Sequence, residues 1–231
     1  MSDSLAQRMM HNPVFSQVYE HMWRPTFTRL FSLGGTGTAD FDRALTAYLT
    51  RPGDRLVLDV ACGPGNYTRR IAEGLTGDGR CVGVDYSPPM LSQAARTNRT
   101  DRTMYIRADG HALPFADNTF DTVTCLAALY LIPDPLPVID ELVRVTRTGG
   151  EVVIFTSVRT DLTSFPGVVA AAGSAGYRIF DRHEIVDRLR AAGVDHVEQT
   201  ITGQGQYVLG TKSPLTPSAD RIPRSVRQNS R

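Results

Sequence analysis

Between Leu56 and Lys212 the chain alternates short apolar, β-branched runs with longer stretches whose apolar positions recur every three or four residues. The runs LVLDVAC (56–62), CVGVD (81–85), TMYIRA (103–108), DTVTCLA (121–127) and EVVIFTS (151–157) are nearly continuous in small and apolar residues. Two further runs, VDHVEQTI and QYVLGTK, follow. Strands separated by helical segments predict an α/β domain built on a parallel sheet with helical crossovers.

The helices carry recognisable starts. In DYSPPMLSQAARTN, Ser87 stands where a cap is wanted and Pro88 takes the first helical position, where its missing N–H costs nothing. Asp134 and Pro135 repeat the device in IPDPLPVIDELVRVTR. In DRHEIVDRLRAAGV, Asp181 and Glu184 have capping-box spacing, and Gly193 ends the helix.

Ahead of the sheet, Leu5 to Phe31 reads as helical with breaks at Pro13 and Pro25, and holds the aromatic and basic cluster VYEHMWRPTFTRLF. The glycine-rich joint LGGTGTAD follows it. A segment so tethered suits either a lid over the sheet's ligand edge or a helix packing its aromatics on the core. After Lys212, SPLTPSADRIPRSVRQNSR has no hydrophobic periodicity, and a disordered tail is expected. The expected division is a helical lid and hinge over 1–39, a ligand-binding domain over 40–212 and the tail over 213–231.

Composition narrows the function classes. A chain of 231 residues with 41% apolar content can bury one sizeable core, and a formal net charge of +1 favours neither nucleic acid nor an acidic membrane as partner. Lys212 is the single lysine among 25 basic residues, a bias of composition and not a sign of anion binding. Cys62, Cys81 and Cys125 fall in or at the ends of strands, without metal-ligand spacing, and read as buried thiols. No leader and no membrane-spanning stretch is recognisable, so a cytoplasmic protein without a metal centre is expected.

The stretch VLDVACGPGNY, from Val57 to Tyr67, carries the chemistry. Ligands of doubly wound sheets bind beyond the carboxyl ends of the strands, and this turn follows the first one. Gly63 and Gly65 let backbone approach a ligand, but Thr68 occupies the third glycine position of a dinucleotide fingerprint, and Pro64 removes an N–H that a pyrophosphate would need. Asp59 would repel phosphate but can orient an ammonium, directly or through water. Asp85, twenty residues past Gly65, sits where a carboxylate receives the ribose hydroxyls of an adenosine.

VLDVACGPGNYTRRIAE, GVDYSPPML, RADGHALPFADNTFD and ELVRVTRTGGEVVIF, in that order, resemble the successive motifs of the class I S-adenosylmethionine-dependent methyltransferases. The group that includes the ubiquinone and menaquinone methyltransferases is the most similar. The resemblance covers about Leu56 to Ser157. It implies a Rossmann-like, seven-stranded, mostly parallel sheet with helices on both faces, a final antiparallel strand at QYVLGTK, and S-adenosyl-L-methionine as cofactor, released as S-adenosyl-L-homocysteine. It also places Asp59, Ala61, Gly63 and Gly65 around the methionine moiety, Asp85 at the ribose, Tyr86 and Met90 against the adenine, Asp109 and Gly110 at the adenine edge, and the backbone around Leu126 beneath the cofactor. Ala61 stands where many members have glycine, and Thr148 where many have proline.

No catalytic base is dictated by these motifs. His111, His183 and His196 read as structural or surface residues. Tyr130 follows the fourth strand at the ligand edge, where relatives often carry a histidine pair, and it either lines an acceptor pocket or simply packs. Tyr19, His21, Trp23 and Arg24, with the insert from Arg159 to Ile179, would supply the remaining wall, suited to a flat or carboxylated small molecule. The activity expected is methyl transfer to an O, N or C nucleophile of a small metabolite. The alternative is a protein that binds the cofactor without methylating, using it structurally or electrostatically.

Overall fold

The computed structural model describes residues 38–213, apart from 162 and 175. The expected N-terminal lid and C-terminal tail lie outside these residues. The chain runs α1 (Thr38–Leu49), β1 (Leu56–Val60), α2 (Asn66–Gly74), β2 (Arg80–Asp85), α3 (Pro88–Thr97), β3 (Thr103–Arg107), β4 (Phe120–Leu126), a 3-10 turn (Leu129–Leu131), α4 (Pro135–Val145), β5 (Thr146–Ser157), α5 (Pro166–Ser174), α6 (Glu184–Ala191), β6 (Val194–Thr202) and β7 (Gly205–Lys212).

These strands form one seven-stranded sheet in the order β3-β2-β1-β4-β5-β7-β6. All pairings among β1 to β5 are parallel, and β7 lies antiparallel between β5 and β6. The order reverses between β1 and β4, the position at which the carboxyl ends of an open α/β sheet leave a crevice.

Period-two alternation sorts the strand residues into two cores. Leu58, Val60, Val123, Cys125, Val152 and Ile154 face one layer, closed by Val138, Ile139 and Leu142 of α4 and Ile185 and Leu189 of α6. Val57, Cys81, Leu126 and Val153 face the other, with Leu49 of α1 and Ile71 and Ala72 of α2. Both faces of the central strands are therefore dry, which is why their sequences are apolar at nearly every position.

The helix starts differ from expectation in detail. Pro88 and Pro135 do occupy the first turns of α3 and α4, but neither Ser87 nor Asp134 makes a side-chain cap hydrogen bond. Asp134 instead adopts a left-handed conformation at φ 45°, which redirects its side chain. In α6 half of the capping box forms: the Asp181 N–H donates to Glu184 Oε2 at 3.0 Å, while the helix itself begins after His183. Strand β5 begins at Thr146, five residues before EVVIFTS. The insert contains α5, beside which Phe165 is exposed. No helix among the described residues is long and apolar enough to cross a membrane.

Candidate functional site at the carboxyl ends of the strands

The turn after β1 is built from strained backbone. Ala61, Gly63 and Gly65 have φ of 56°, 56° and 84°, so three of five consecutive residues are left-handed. For alanine that conformation costs about 1 kcal/mol, which is the physical reason glycine suits the position. The turn is tied down by its own N–H groups. Cys62 donates to the Val84 carbonyl at 3.0 Å and Gly65 to the Cys62 carbonyl at 3.0 Å. A Cβ on Gly65 would fall 2.4 Å from Tyr105 Oη, so close approach as well as backbone angle requires glycine there.

Asp85 closes the turn from β2. Its Oδ2 accepts the Gly63 N–H at 2.8 Å and its Oδ1 accepts the Ser87 N–H at 2.8 Å. One carboxylate thus fixes both the loop after β1 and the entry to α3.

Asp59 sits beneath the turn, 2% exposed. It is in register with Gly83 of β2 and Thr124 of β4, and α2 crosses above it. Thr68 Oγ1 donates to its Oδ2 at 2.7 Å and Thr124 Oγ1 to its Oδ1 at 2.9 Å. Burial pushes its pKa up to about 6; the two hydroxyl donors oppose the shift, and the charge of Asp85 adds to it. A cationic group bound nearby would restore the ionised form.

The hydroxyls of Thr68 and Thr124 are the site residues that the sequence reading missed. Thr68 figured only as a non-glycine, yet it is fully buried and holds Asp59. The available signal was polarity inside an apolar strand: buried hydroxyls need partners, and DTVTCLA places Thr124 beside Asp59.

The remaining candidate residues lie on several elements. Met90 is a buried residue of α3, and Leu126 ends β4 in the core. Tyr86 is half exposed, with the Arg107 guanidinium 5.6 Å from its ring centroid. Gly110 lies against Val138, whose Cγ1 would be 3.4 Å from an added Cβ. Asp109 is exposed and bound by His111, whose Nδ1 lies 2.8 Å from Asp109 Oδ1. Tyr130 is 3% exposed, within the core on the 3-10 turn, its ring 4.5 Å from that of Tyr177 in the insert. Tyr19 and Trp23 lie outside the described residues.

The thiols divide. Cys81 and Cys125 are buried as expected, whereas Cys62 is only partly so because it belongs to the turn and not to the strand. Burial raises all three above the ordinary thiol range, so none is a ready thiolate. His183 and His196 stand at the start of α6 and in β6, away from the crevice.

With this geometry in hand, the chain can be compared with known proteins. The family described as "Methyltransferase domain" matches residues 58–154. A demethylmenaquinone methyltransferase of Lactiplantibacillus plantarum is 31% identical over 164 residues, 68% of this chain and 67% of that protein. A chloroplastic methyltransferase of Arabidopsis thaliana is 30% identical over 217 residues, 90% of this chain, which spans 60% of the plant protein's length. The geranyl diphosphate C-methyltransferase of Streptomyces coelicolor, solved with S-adenosyl-L-homocysteine, shares the fold at a TM-score of 0.61 and 16% identity, over 75% of this chain and 79% of that one.

Proposed function

The chain belongs to the class I S-adenosylmethionine-dependent methyltransferases, and on that premise we propose that it transfers a methyl group from S-adenosylmethionine to an O, N or C nucleophile of a small-molecule metabolite. The observation that carries the reading is the pair of carboxylates bracketing the turn. Asp85 lies close enough to Asp59 for its charge to help raise the Asp59 pKa. A pyrophosphate would add negative charge to that pair, whereas an adenosine bearing an ammonium and hydroxyl donors complements it. The space is also suitable: nothing among the described residues lies within 4 Å of a Cβ built on Gly63.

In this reading Ala61, Gly63 and Gly65 accommodate the methionine moiety, with Asp59 orienting its ammonium directly or through water. Asp85 takes the ribose hydroxyls, and Tyr86 and Met90 pack on the adenine. Asp109 and Gly110 meet the adenine edge, and the backbone at Leu126 underlies the whole. The donor supplies an electrophilic methyl group. The chain's part is to hold the acceptor in line with it and to keep water out. Tyr177, partly buried against the core residue Tyr130, would offer one aromatic wall to the acceptor, and the segment with Tyr19 and Trp23 would close the other as a lid. A flat acceptor, of the kind for which the Lactiplantibacillus relative is named, suits such walls.

Calorimetric titration with S-adenosylhomocysteine tests the donor, and labelled S-adenosylmethionine incubated with a metabolite extract tests the transfer. Binding together with a labelled small product is expected. Preferential binding of NAD would sink the donor assignment, and tight binding without any methylated product would favour a non-methylating role.

A further inference from the structure

His111 lies on the segment between β3 and β4, its side chain one-third exposed, and both of its ring nitrogens face acceptors. Its backbone N–H and Nδ1 both lie on Asp109 Oδ1, at 2.9 and 2.8 Å. Nε2 lies 2.9 Å from the Pro133 carbonyl and 3.1 Å from that of Asp134. Carbonyl and carboxylate oxygens only accept, so the ring satisfies all these partners only when both nitrogens carry protons. Burial works against that cation, but the hydrogen bonds to Asp109 and to the two carbonyls, with the charge of Asp109, outweigh it and raise the pKa above the ordinary histidine value.

The two ends of this contact belong to different parts of the site. Asp109 is the residue assigned above to the adenine edge. Pro133 and Asp134 lead into α4, directly after the 3-10 turn that carries Tyr130, and Asp134 holds its left-handed conformation where the imidazole reaches it. Both His111 donors on the carboxylate go to Oδ1, which orients Oδ2 for a donor arriving from outside.

We propose that His111 is a positioning residue for the cofactor: as an imidazolium it fixes the Asp109 carboxylate for the adenine amino group and fastens that contact to the segment entering α4. The proposal rests on the placement of Asp109 at the adenine. The groups facing the ring among the described residues are the Asp109 carboxylate on its own segment and, ahead of α4, the backbone carbonyls of Pro133 and Asp134, the latter residue also bearing a carboxylate.

The test compares S-adenosylhomocysteine with S-inosylhomocysteine, which carries a carbonyl in place of the amino group. Each is titrated calorimetrically into the wild type, His111→Ala and His111→Gln between pH 6 and 9. The ratio of the two affinities isolates the amino contact, because the titration of Asp59 and of the ligand's own amine is common to both. In the wild type the preference for the adenosine ligand is expected to shrink as pH rises through the His111 transition. In His111→Ala at neutral pH it is expected to fall about tenfold, the worth of one charge-assisted hydrogen bond.

His111→Gln, which donates from a single uncharged nitrogen, should fall between. An undiminished preference in the variants, or a flat wild-type profile, would overturn the role. If the alanine variant does not fold, the glutamine variant and the wild-type profile still decide the matter. Failure of the wild type to bind S-adenosylhomocysteine at any pH would overturn the cofactor assignment and this role with it, whereas binding with unchanged preference would overturn this role alone.

Discussion

The two ends of the parallel strands are built on opposite principles. At the carboxyl ends the backbone is left-handed at Ala61, Gly63, Gly65 and Ala127, and Asp59 and Asp85 place negative charge beside the turn. At the amino ends the carboxylates are paired with arginines, and side chains reach both side chains and backbone of distant segments. Glu151, at the start of the apolar run of β5, accepts from Tyr48 Oη at 2.5 Å, Arg51 Nη2 at 2.6 Å and Thr122 Oγ1 at 3.3 Å. Asp121 accepts the Leu56 N–H at 2.7 Å and Arg147 Nε at 2.5 Å. Lys212, the single lysine, donates to the Val143 and Thr146 carbonyls at 2.8 Å each. One end spends stability on a binding geometry, and the other secures the sheet that holds it.

This division predicts that mutations at the two ends separate stability from binding. Glu151→Ala strands the Tyr48 hydroxyl and the Arg51 guanidinium, and should cost about 3 kcal/mol of unfolding free energy by urea titration while leaving S-adenosylhomocysteine affinity unchanged. A matching loss of affinity in the folded variant would break the comparison.

Asp59 gives the next effect, and it depends on pH. A carboxyl group whose pKa is raised by folding, here to about 6, contributes stability that is fully present below its unfolded value near 4 and is lost as pH rises through about 6. The wild type should therefore lose about 2–3 kcal/mol relative to Asp59→Asn between pH 4 and pH 7. Parallel pH–stability curves for the two proteins would show that the buried carboxyl is not strained. Saturating S-adenosylhomocysteine should narrow the difference, since its ammonium favours the ionised form.

Asp85→Asn reverses the pattern of Glu151→Ala. It should weaken S-adenosylhomocysteine by about 2 kcal/mol, roughly thirtyfold, with a smaller change in stability, because the amide can still accept one of the two N–H bonds. The smallest effect belongs to Ala61→Gly. It should relieve left-handed strain, a gain of up to about 1 kcal/mol offset in part by the greater freedom of the unfolded chain, and leave affinity intact. A large loss of affinity would mean that the methyl group of Ala61 touches the ligand.

The sheet was legible in the sequence because its central strands, dry on both faces, are apolar at most positions. All seven runs became strands, and the motif residues Asp59, Gly63, Gly65 and Asp85 came together because each follows or ends a strand at the same edge. What the sequence did not disclose was contact made across elements. Nothing local tells Thr68 of α2 that Thr124 of β4 grips the same carboxylate, or tells His111 that Pro133 and Asp134 will present their carbonyls to it. Ser87 and Asp134 do stand at the N-cap positions, but their side chains accept no cap hydrogen bond; in α3 the second helical residue is Pro89, which has no N–H to give.

The placement of β7 between β5 and β6 bears on how the molecule is made during translation. When β5 leaves the ribosome its outer edge has no partner, and both strands beyond it in the sheet are still to come. Because β6 pairs, among the described residues, with β7 alone, the two must close as a hairpin around the Gly203 turn before or while they dock on β5. The ammonium of Lys212, lodged on the carbonyls at the end of α4 and the start of β5, then acts as the latch on that last movement. A nascent chain stalled before Lys212 would expose an adhesive strand edge, and chaperone capture should peak in that interval.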